Sequence, residues 1–321
     1  MISVIVPVRN GGADFRRLLA SLGAQQVDRP VELIVIDSSS TDGSAELARD
    51  HGARVETIPA SEFTHGGKRN LAAEMARGET LVFTSQDAYA ERSDWLTRLT
   101  APLDEDPELA GVYGRQLPHH DAHPPERFFL DFLYGEGRRI QRARTRSDLS
   151  MDSALFSNVN AAIRREVWEE FQFADDIIMS EDVEWAARVL LAGYSVRYEP
   201  DAPVRHSHFY TVASAFRRFF DSGVSAERAY LAGGRRSARV LRRRALNYGR
   251  EEIAWLIREG HARWIPYAAV YELSKFVGLQ LGAHYRLLPV GLARRLSAAP
   301  RYWERQEGGV PPVPERQPAK R

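Results

Sequence analysis

Thr80-Leu81-Val82-Phe83-Thr84-Ser85-Gln86-Asp87-Ala88 is the stretch that decides the fold. Four strand-forming residues run straight into a polar turn carrying one acid. A short apolar run of this kind suits a strand buried on both faces of a parallel sheet. Ligands of such sheets collect in the crevice at the carboxyl ends of the strands. Asp87 is therefore expected in that crevice. There a carboxylate can give a hard oxygen ligand to a divalent cation, and the cation can hold a diphosphate. Capping the next turn is the plain alternative use of the same side chain.

Working outward, the first hundred residues alternate in type. Residues 2–8 form a β-branched run. Phe15, Leu18, Leu19 and Leu22 follow at helical spacing, with Asp14 as an N-cap. A second strand over 31–36 ends in Asp37, and 44–51 reads as a helix stopped by Gly52. Residues 54–58 give a third strand, 68–76 a helix and 80–83 a fourth strand. Ser93 or Asp94 caps a helix carrying Trp95, Leu96, Leu99 and Leu103. This order predicts an α/β fold: a mostly parallel central sheet flanked by helices, with right-handed crossovers.

The pattern breaks over 117–151, where His119, His120, His123, Pro124 and Pro125 precede many arginines. That segment is expected to be an insertion or mobile loop over the active face. Strand and helix return at 158–163 and 165–171. A helix opens at Glu181-Asp182 and a strand covers 196–198. From Val212 the chain reads as helical, with Phe216, Phe219 and Phe220 beside Arg217 and Arg218, then a dense arginine stretch from Arg235 to Arg244. The expected organisation is a catalytic α/β domain over 1–223, a helical C-terminal region over 224–307 and a disordered tail over 308–321.

Composition narrows the function. The 321 residues carry a formal net charge of +1, which excludes the charge excess of a nucleic-acid binder. Cysteine is absent, so there is no disulfide framework, thiolate nucleophile or zinc–thiolate site. No apolar run approaches a membrane span, the N-terminal run does not read as a signal peptide, and a cytoplasmic location is expected. No Gly-x-Gly-x-x-Gly follows the first strand, which argues against a dinucleotide-dependent oxidoreductase.

Four blocks then stand in a telling order: Val6-Pro7-Val8-Arg9-Asn10, residues 36–43 (IDSSSTDG), Ser85-Gln86-Asp87 and Ser180-Glu181-Asp182. Together they resemble a family-2 inverting glycosyltransferase of the GT-A fold, over roughly the first two thirds of the chain. Residues 63–70 (FTHGGKRN), Gln86-Asp87-Ala88, residues 181–185 (EDVEW) and His206-Ser207-His208 are similar to the bacterial rhamnosyltransferase branch. The resemblance implies a nucleotide-sugar donor, dTDP-L-rhamnose, with a saccharide or lipid-linked saccharide acceptor in cell-envelope polysaccharide synthesis. It also implies a divalent cation, Mg²⁺ or Mn²⁺. A UDP-hexose donor, or a silent sugar-nucleotide-binding scaffold, remains an alternative.

Site residues follow from position and resemblance together. Asp37 can accept hydrogen bonds from a pyrimidine N–H, and the resemblance supplies the pyrimidine. Pro7, Val8, Arg9, Asn10, Ser39 and Gln86 would surround the nucleotide, while Asp42 caps the next helix. Lys68 and Arg69 open a helix after two glycines, a favourable place for a diphosphate. Asp87 matches the last acid of the family's metal motif, but Ser85 stands where the first acid would be. His206 and His208, two apart and thus on one face of a strand, are candidates for the missing ligand. Asp182 is the expected general base, oriented by Glu181. Asn158, Asn160 and Trp185 are candidates for sugar contacts, and Arg217 and Arg218 for the diphosphate. The basic, aromatic C-terminal region fits either a peripheral membrane surface or a packing face, on the catalytic domain or on a second copy in a homo-oligomer.

Overall fold

The computed structural model describes residues 1–62, 64–229, 231 and 235–307. Phe63 of the family-like block and the tail read as disordered lie outside these.

Among them the chain builds β1 (Ile2–Val8), α1 (Gly12–Gly23), β2 (Val31–Asp37), α2 (Ser44–Asp50), β3 (Arg54–Thr57), α3 (His65–Met75), β4 (Thr80–Thr84), α4 (Trp95–Glu105) and β5 (Leu109–Leu117). Next come α5 (Pro124–Leu133), β6 (Arg139–Gln141), β7 (Asn160–Arg164), α6 (Arg165–Glu170), α7 (Glu181–Leu191) and β8 (Ser195–Arg205). The helices α8 (Val212–Val224), α9 (Arg235–Arg258), α10 (Ile265–Ala283), α11 (Val290–Leu296) and α12 (Pro300–Glu307) complete it.

The strands form one eight-stranded sheet in the order β3-β2-β1-β4-β7-β5-β8-β6. The β1–β2, β1–β4, β2–β3 and β5–β8 pairs are parallel, while β7 and β6 run antiparallel to their neighbours. Every residue of β1 and β4 is buried, as their unbroken apolar runs require of strands covered by helices on both faces. Two core clusters line the two faces. One gathers Phe83, Phe156, Phe173 and Trp185, and the other Phe15, Leu18, Trp95 and Leu99.

Three sequence expectations change. Asp14 does not cap α1; it sits in the first turn and pairs with Arg17 at 2.9 Å. The 117–151 segment, expected as an irregular insertion, contains α5 and β6. The prolines fall at the start of α5, where a missing N–H costs nothing. Phe128, Leu130 and Leu133 are buried on it. Strand β5 was not anticipated at all.

The C-terminal helices are locked to the rest by one close crossing. A side chain on Gly278 would meet the Phe216 carbonyl of α8, one on Gly282 the Phe220 carbonyl, and one on Gly223 the Leu279 carbonyl of α10. Only glycine permits that approach.

Candidate active site

Strand register places the proposed acids along one edge. Asp37 ends β2 opposite Val8 of β1, and Thr84 ends β4 opposite Asn160 of β7. Asp87 follows three residues after Thr84. β7 is antiparallel, so its leading residues reach this same edge, and the Asn158 N–H there donates to Asp182 Oδ2 at 3.1 Å. β5 and β8 end here too, with the His206 N–H donating to the Leu117 carbonyl at 2.9 Å. Asp37, Asp87 and Asp182 therefore share the carboxyl edge of the sheet, the ligand-binding edge of such folds.

Asp87, His206 and His208 meet there. One ligand atom from each lies within 4.8 Å of the others. His206 Nε2 stands 3.7 Å from Asp87 Oδ1, and His208 Nδ1 stands 3.6 Å from Asp87 Oδ2. Ligands held at about 2.1 Å by a common ion stand roughly 3–4 Å apart, so the three fit one cation. The imidazoles are in the ligating form. Burial pushes His206 down to about 3, and burial together with His206 does the same to His208. Gln116 fixes the tautomer. Its amide nitrogen donates to the Tyr134 hydroxyl at 2.8 Å and to Ser157 Oγ at 2.9 Å. Its oxygen therefore accepts from His206 Nδ1 at 2.9 Å, leaving the Nε2 lone pair facing Asp87. The histidines thus stand where Ser85 withholds a second carboxylate.

The acid pair at the start of α7 divides its roles. Glu181 is buried and accepts from Arg69 Nη1 at 2.6 Å. Burial opposes its charge, yet Arg69 prevails and holds the carboxyl below its ordinary value. Asp182 is half-buried and accepts the backbone N–H groups of Asn158 and Val183. Burial, then the Glu181 charge, push it up to about 6. That is the environment of a general base poised near neutrality. Both polar atoms of the Asn158 side chain are buried and make no well-formed hydrogen bond within the protein.

The loops on the nucleotide side are tightly set. Gln86 bridges the backbone of Arg9, accepting from its N–H at 2.7 Å and donating to its carbonyl at 3.3 Å. The Asn10 N–H donates to Ser40 Oγ, and Ser39 Oγ donates to the Ile58 carbonyl. Asp37 is buried and accepts the Ser40 N–H; Asp42, one residue before the Gly43 N-cap of α2, is not the cap and accepts the Ser44 N–H from outside the helix. Pro7 and Val8 are buried beneath these loops. Among the described residues, positive φ outside glycine occurs only at Asn10, Ser39 and Ser180, all at this edge. Such strain concentrates at functional sites.

Cations converge here as well. Lys68 lines a cavity of about 310 Å³ with Ile58, Thr64, Gly67, Asp175 and Arg305. Burial and the neighbouring Arg69 push its amine down to about 7. Arg69 itself is committed to Glu181 and to the His65 carbonyl, so it acts on the acids and not as an open anion ligand. Half-buried Arg218 is within 4 Å of no carboxylate among the described residues, and its charge reaches His65, His206, His208 and Asp221.

Three sequence assignments are corrected. Trp185 cannot lie under a sugar ring: it is fully buried against Phe156 and Phe173, and its indole N–H donates to the Phe171 carbonyl at 2.8 Å. Asn160 is spent inside, accepting from Trp95 and donating to the Ala202 carbonyl. Arg217 is exposed, lining a groove between α8, α10 and α11. Gln116 and His65 were missed, because nothing in a sequence marks a lone glutamine or histidine whose partners lie far along the chain.

Comparison with known proteins gives the family and the fold. The profile of glycosyl transferase family 2 matches residues 3–171. The chain is 35% identical over 309 residues to the O-antigen chain rhamnosyltransferase WbaN of Salmonella anatum, covering 94% of this chain and 95% of that protein. It is also 35% identical over 311 residues to RfbN of Salmonella typhimurium, another O-antigen chain rhamnosyltransferase, covering 94% and 96%. In structure it is similar to a Pyrobaculum calidifontis mannosyltransferase solved with GDP-Man and Mn²⁺, with a TM-score of 0.53, 20% identity and coverage of 96% and 79%. It also resembles S. aureus TarS solved with UDP, with a TM-score of 0.52, 18% identity and coverage of 89% and 91%. These two likenesses establish a shared GT-A-like fold. With a family profile over half its length and relatives matched end to end, the chain belongs to glycosyl transferase family 2 and is a glycosyltransferase.

Proposed function

We propose that this enzyme is an inverting, metal-assisted rhamnosyltransferase. It moves L-rhamnose from dTDP-L-rhamnose to a saccharide or lipid-linked saccharide in cell-envelope polysaccharide synthesis. The observation that carries the chemistry is the sharing of one sheet edge by Asp182, its carboxyl raised to about 6, and the Asp87–His206–His208 cluster. The named activity of the Salmonella relatives supports the sugar and the pathway.

In this reading Asp182 takes the proton of the acceptor hydroxyl as its oxygen attacks the anomeric carbon. The bond from that carbon to the diphosphate oxygen breaks, the configuration inverts, and the proton later leaves Asp182 for solvent. Glu181, kept ionised by Arg69, keeps Asp182 basic. Arg218 and Lys68 oppose the charge that gathers on the departing diphosphate. Asp87, His206 and His208 would hold a divalent cation, with imidazole favouring Mn²⁺ over Mg²⁺. When bound, the cation supplies Lewis-acid stabilisation of that leaving group. Asp37 and the Pro7–Asn10 loop receive the pyrimidine, and Asn158 orients the catalytic base through its backbone N–H to Asp182.

Thermal shift with a panel of nucleotide sugars, with and without Mn²⁺, tests the donor. Saturating dTDP-rhamnose adds about 2.7 kcal/mol at a hundredfold excess over Kd. Stabilisation by UDP-hexoses and not by dTDP-rhamnose refutes the sugar assignment. Asp182→Asn retains that donor stabilisation and loses roughly 10²–10⁴-fold in nucleotide release. Equal release from both forms removes the base assignment.

A further inference from the structure

Helix α10 is mostly apolar, and its polar residues Glu272, Ser274, Lys275 and Gln280 all lie at buried or half-buried positions, leaving the exposed face apolar. One side is packed, with Gly278 and Gly282 against the backbone of α8. The other is not. Its exposed positions are Pro266, Ala269, Val270, Leu273, Phe276, Val277 and Leu281, an i, i+3/i+4 stripe without a single polar residue. Leu273 is 61% exposed, Val270 56% and Phe276 46%. The surface continues beyond the helix through Leu287, Val290 and Leu292. Aromatic residues mark both ends, Trp264 just before the helix, Tyr267 in its first turn and Tyr285 after it. No helix among the described residues is long and apolar enough to cross a membrane.

Charge identifies what covers this face. Over the described C-terminal residues 235–307 the sequence carries 15 Lys/Arg against 6 Asp/Glu, a net of +9. Arg263, Arg286, Arg294 and Arg295, all exposed, flank the apolar stripe in sequence, with Arg286 paired to Glu227 at 3.2 Å. Beside it, a groove of about 470 Å³ has an apolar floor of Val212, Ala213, Phe216 and Leu296, with Arg217 and Arg295 among its lining residues. An apolar floor with guanidinium groups fits acyl chains beneath a phosphate headgroup. A second copy would oppose one positive face to another. An anionic surface attracts a face that carries guanidinium groups around an apolar stripe, which sets orientation as well as affinity.

We propose that the outer face of α10, with the short turn Tyr285–Leu287 and α11 that follow it, docks the enzyme onto an anionic lipid bilayer. The docking surface is separate from the donor site, so the two readings fail independently.

Flotation of the full chain with phosphatidylcholine vesicles, with and without phosphatidylglycerol, tests it. The wild type floats with the phosphatidylglycerol-containing vesicles and binds pure phosphatidylcholine far less. Leu273→Glu/Phe276→Glu lowers vesicle affinity at least about tenfold. Arg294→Glu/Arg295→Glu lowers it roughly fivefold for each arginine removed, and added salt reproduces that loss. Nucleotide release is unchanged in both variants, which shows that they fold. The proposal is overturned if the wild type ignores phosphatidylglycerol. It is equally overturned if Leu273→Glu/Phe276→Glu converts a dimer to a monomer in sedimentation velocity while vesicle binding stays intact.

Discussion

Replacing Glu181 by glutamine isolates how the base is tuned. The carboxylate is ionised, 6% exposed, and 2.6 Å from Arg69 Nη1. Burial raises Asp182 first and the Glu181 charge raises it further, to about 6, while Arg69 pulls it down. Glutamine keeps the volume and one acceptor for Arg69 but removes the charge. Asp182 then faces an uncompensated guanidinium, so its carboxyl becomes more acidic. A shift of about one unit corresponds to roughly 1.4 kcal/mol. The sign is definite. The reaction needs the ionised base, so activity falls as pH drops through the Asp182 value, and lowering that value moves the acid limb to lower pH. At neutral pH the weaker base is slower. Arg69, left buried without an anion, also costs stability, up to about 3 kcal/mol. The assay is kcat/KM for nucleotide release across pH 4–8, with denaturant melts in parallel. An acid limb unmoved in Glu181→Gln, with the fold intact, would refute the coupling and with it the division of roles within the pair.

Three further outcomes follow from the same coordinates. Gln116→Leu frees the His206 ring and weakens Mn²⁺ binding by about 10–100-fold, read by titration against a chelating dye; unchanged affinity removes Gln116 from the site. His65, His206 and His208 are all pushed down to about 3, so the folded state disfavours their protonation. Stability is then greatest above pH ~6.5 and declines as pH falls towards ~3, and His206→Gln makes that decline shallower in melts run from pH 7 to 4. Gly282→Val drives a side chain into the Phe220 carbonyl and costs at least about 1–3 kcal/mol in chemical denaturation; a neutral result means that α8 and α10 do not touch as described.

The parallel half of the sheet was legible because β1, β4 and the second half of β2 are buried on both faces and their sequences are mostly apolar there. Strand β5 was not, because Gly111 and Gly114 interrupt it and read as breakers. They are there because Gly114 faces Asn160 and the Ala202 carbonyl too closely for any side chain. Helix α5 hid behind its own start signal, two prolines among histidines. At the site, Asp87, His206 and His208 could be grouped from spacing and motif. Trp185 misled because an aromatic one turn along from an acid looks the same in a sequence whether it faces a ligand or the core. Arg69 misled for a related reason. A basic residue at a helix start suggests an anion ligand, and only the fold shows that its anion is Glu181, 112 residues away.

The glycine crossing of α8 and α10 has a mechanical meaning. Two helices in backbone contact cannot slide or roll past each other, since every small displacement brings a carbonyl against a Cα. Arg218 rides on one of them and the apolar outer stripe on the other. If the molecule docks through α10 as proposed, the tilt of that docking and the aim of the proposed site move together, so an acceptor held at a fixed height would meet the site at a fixed height.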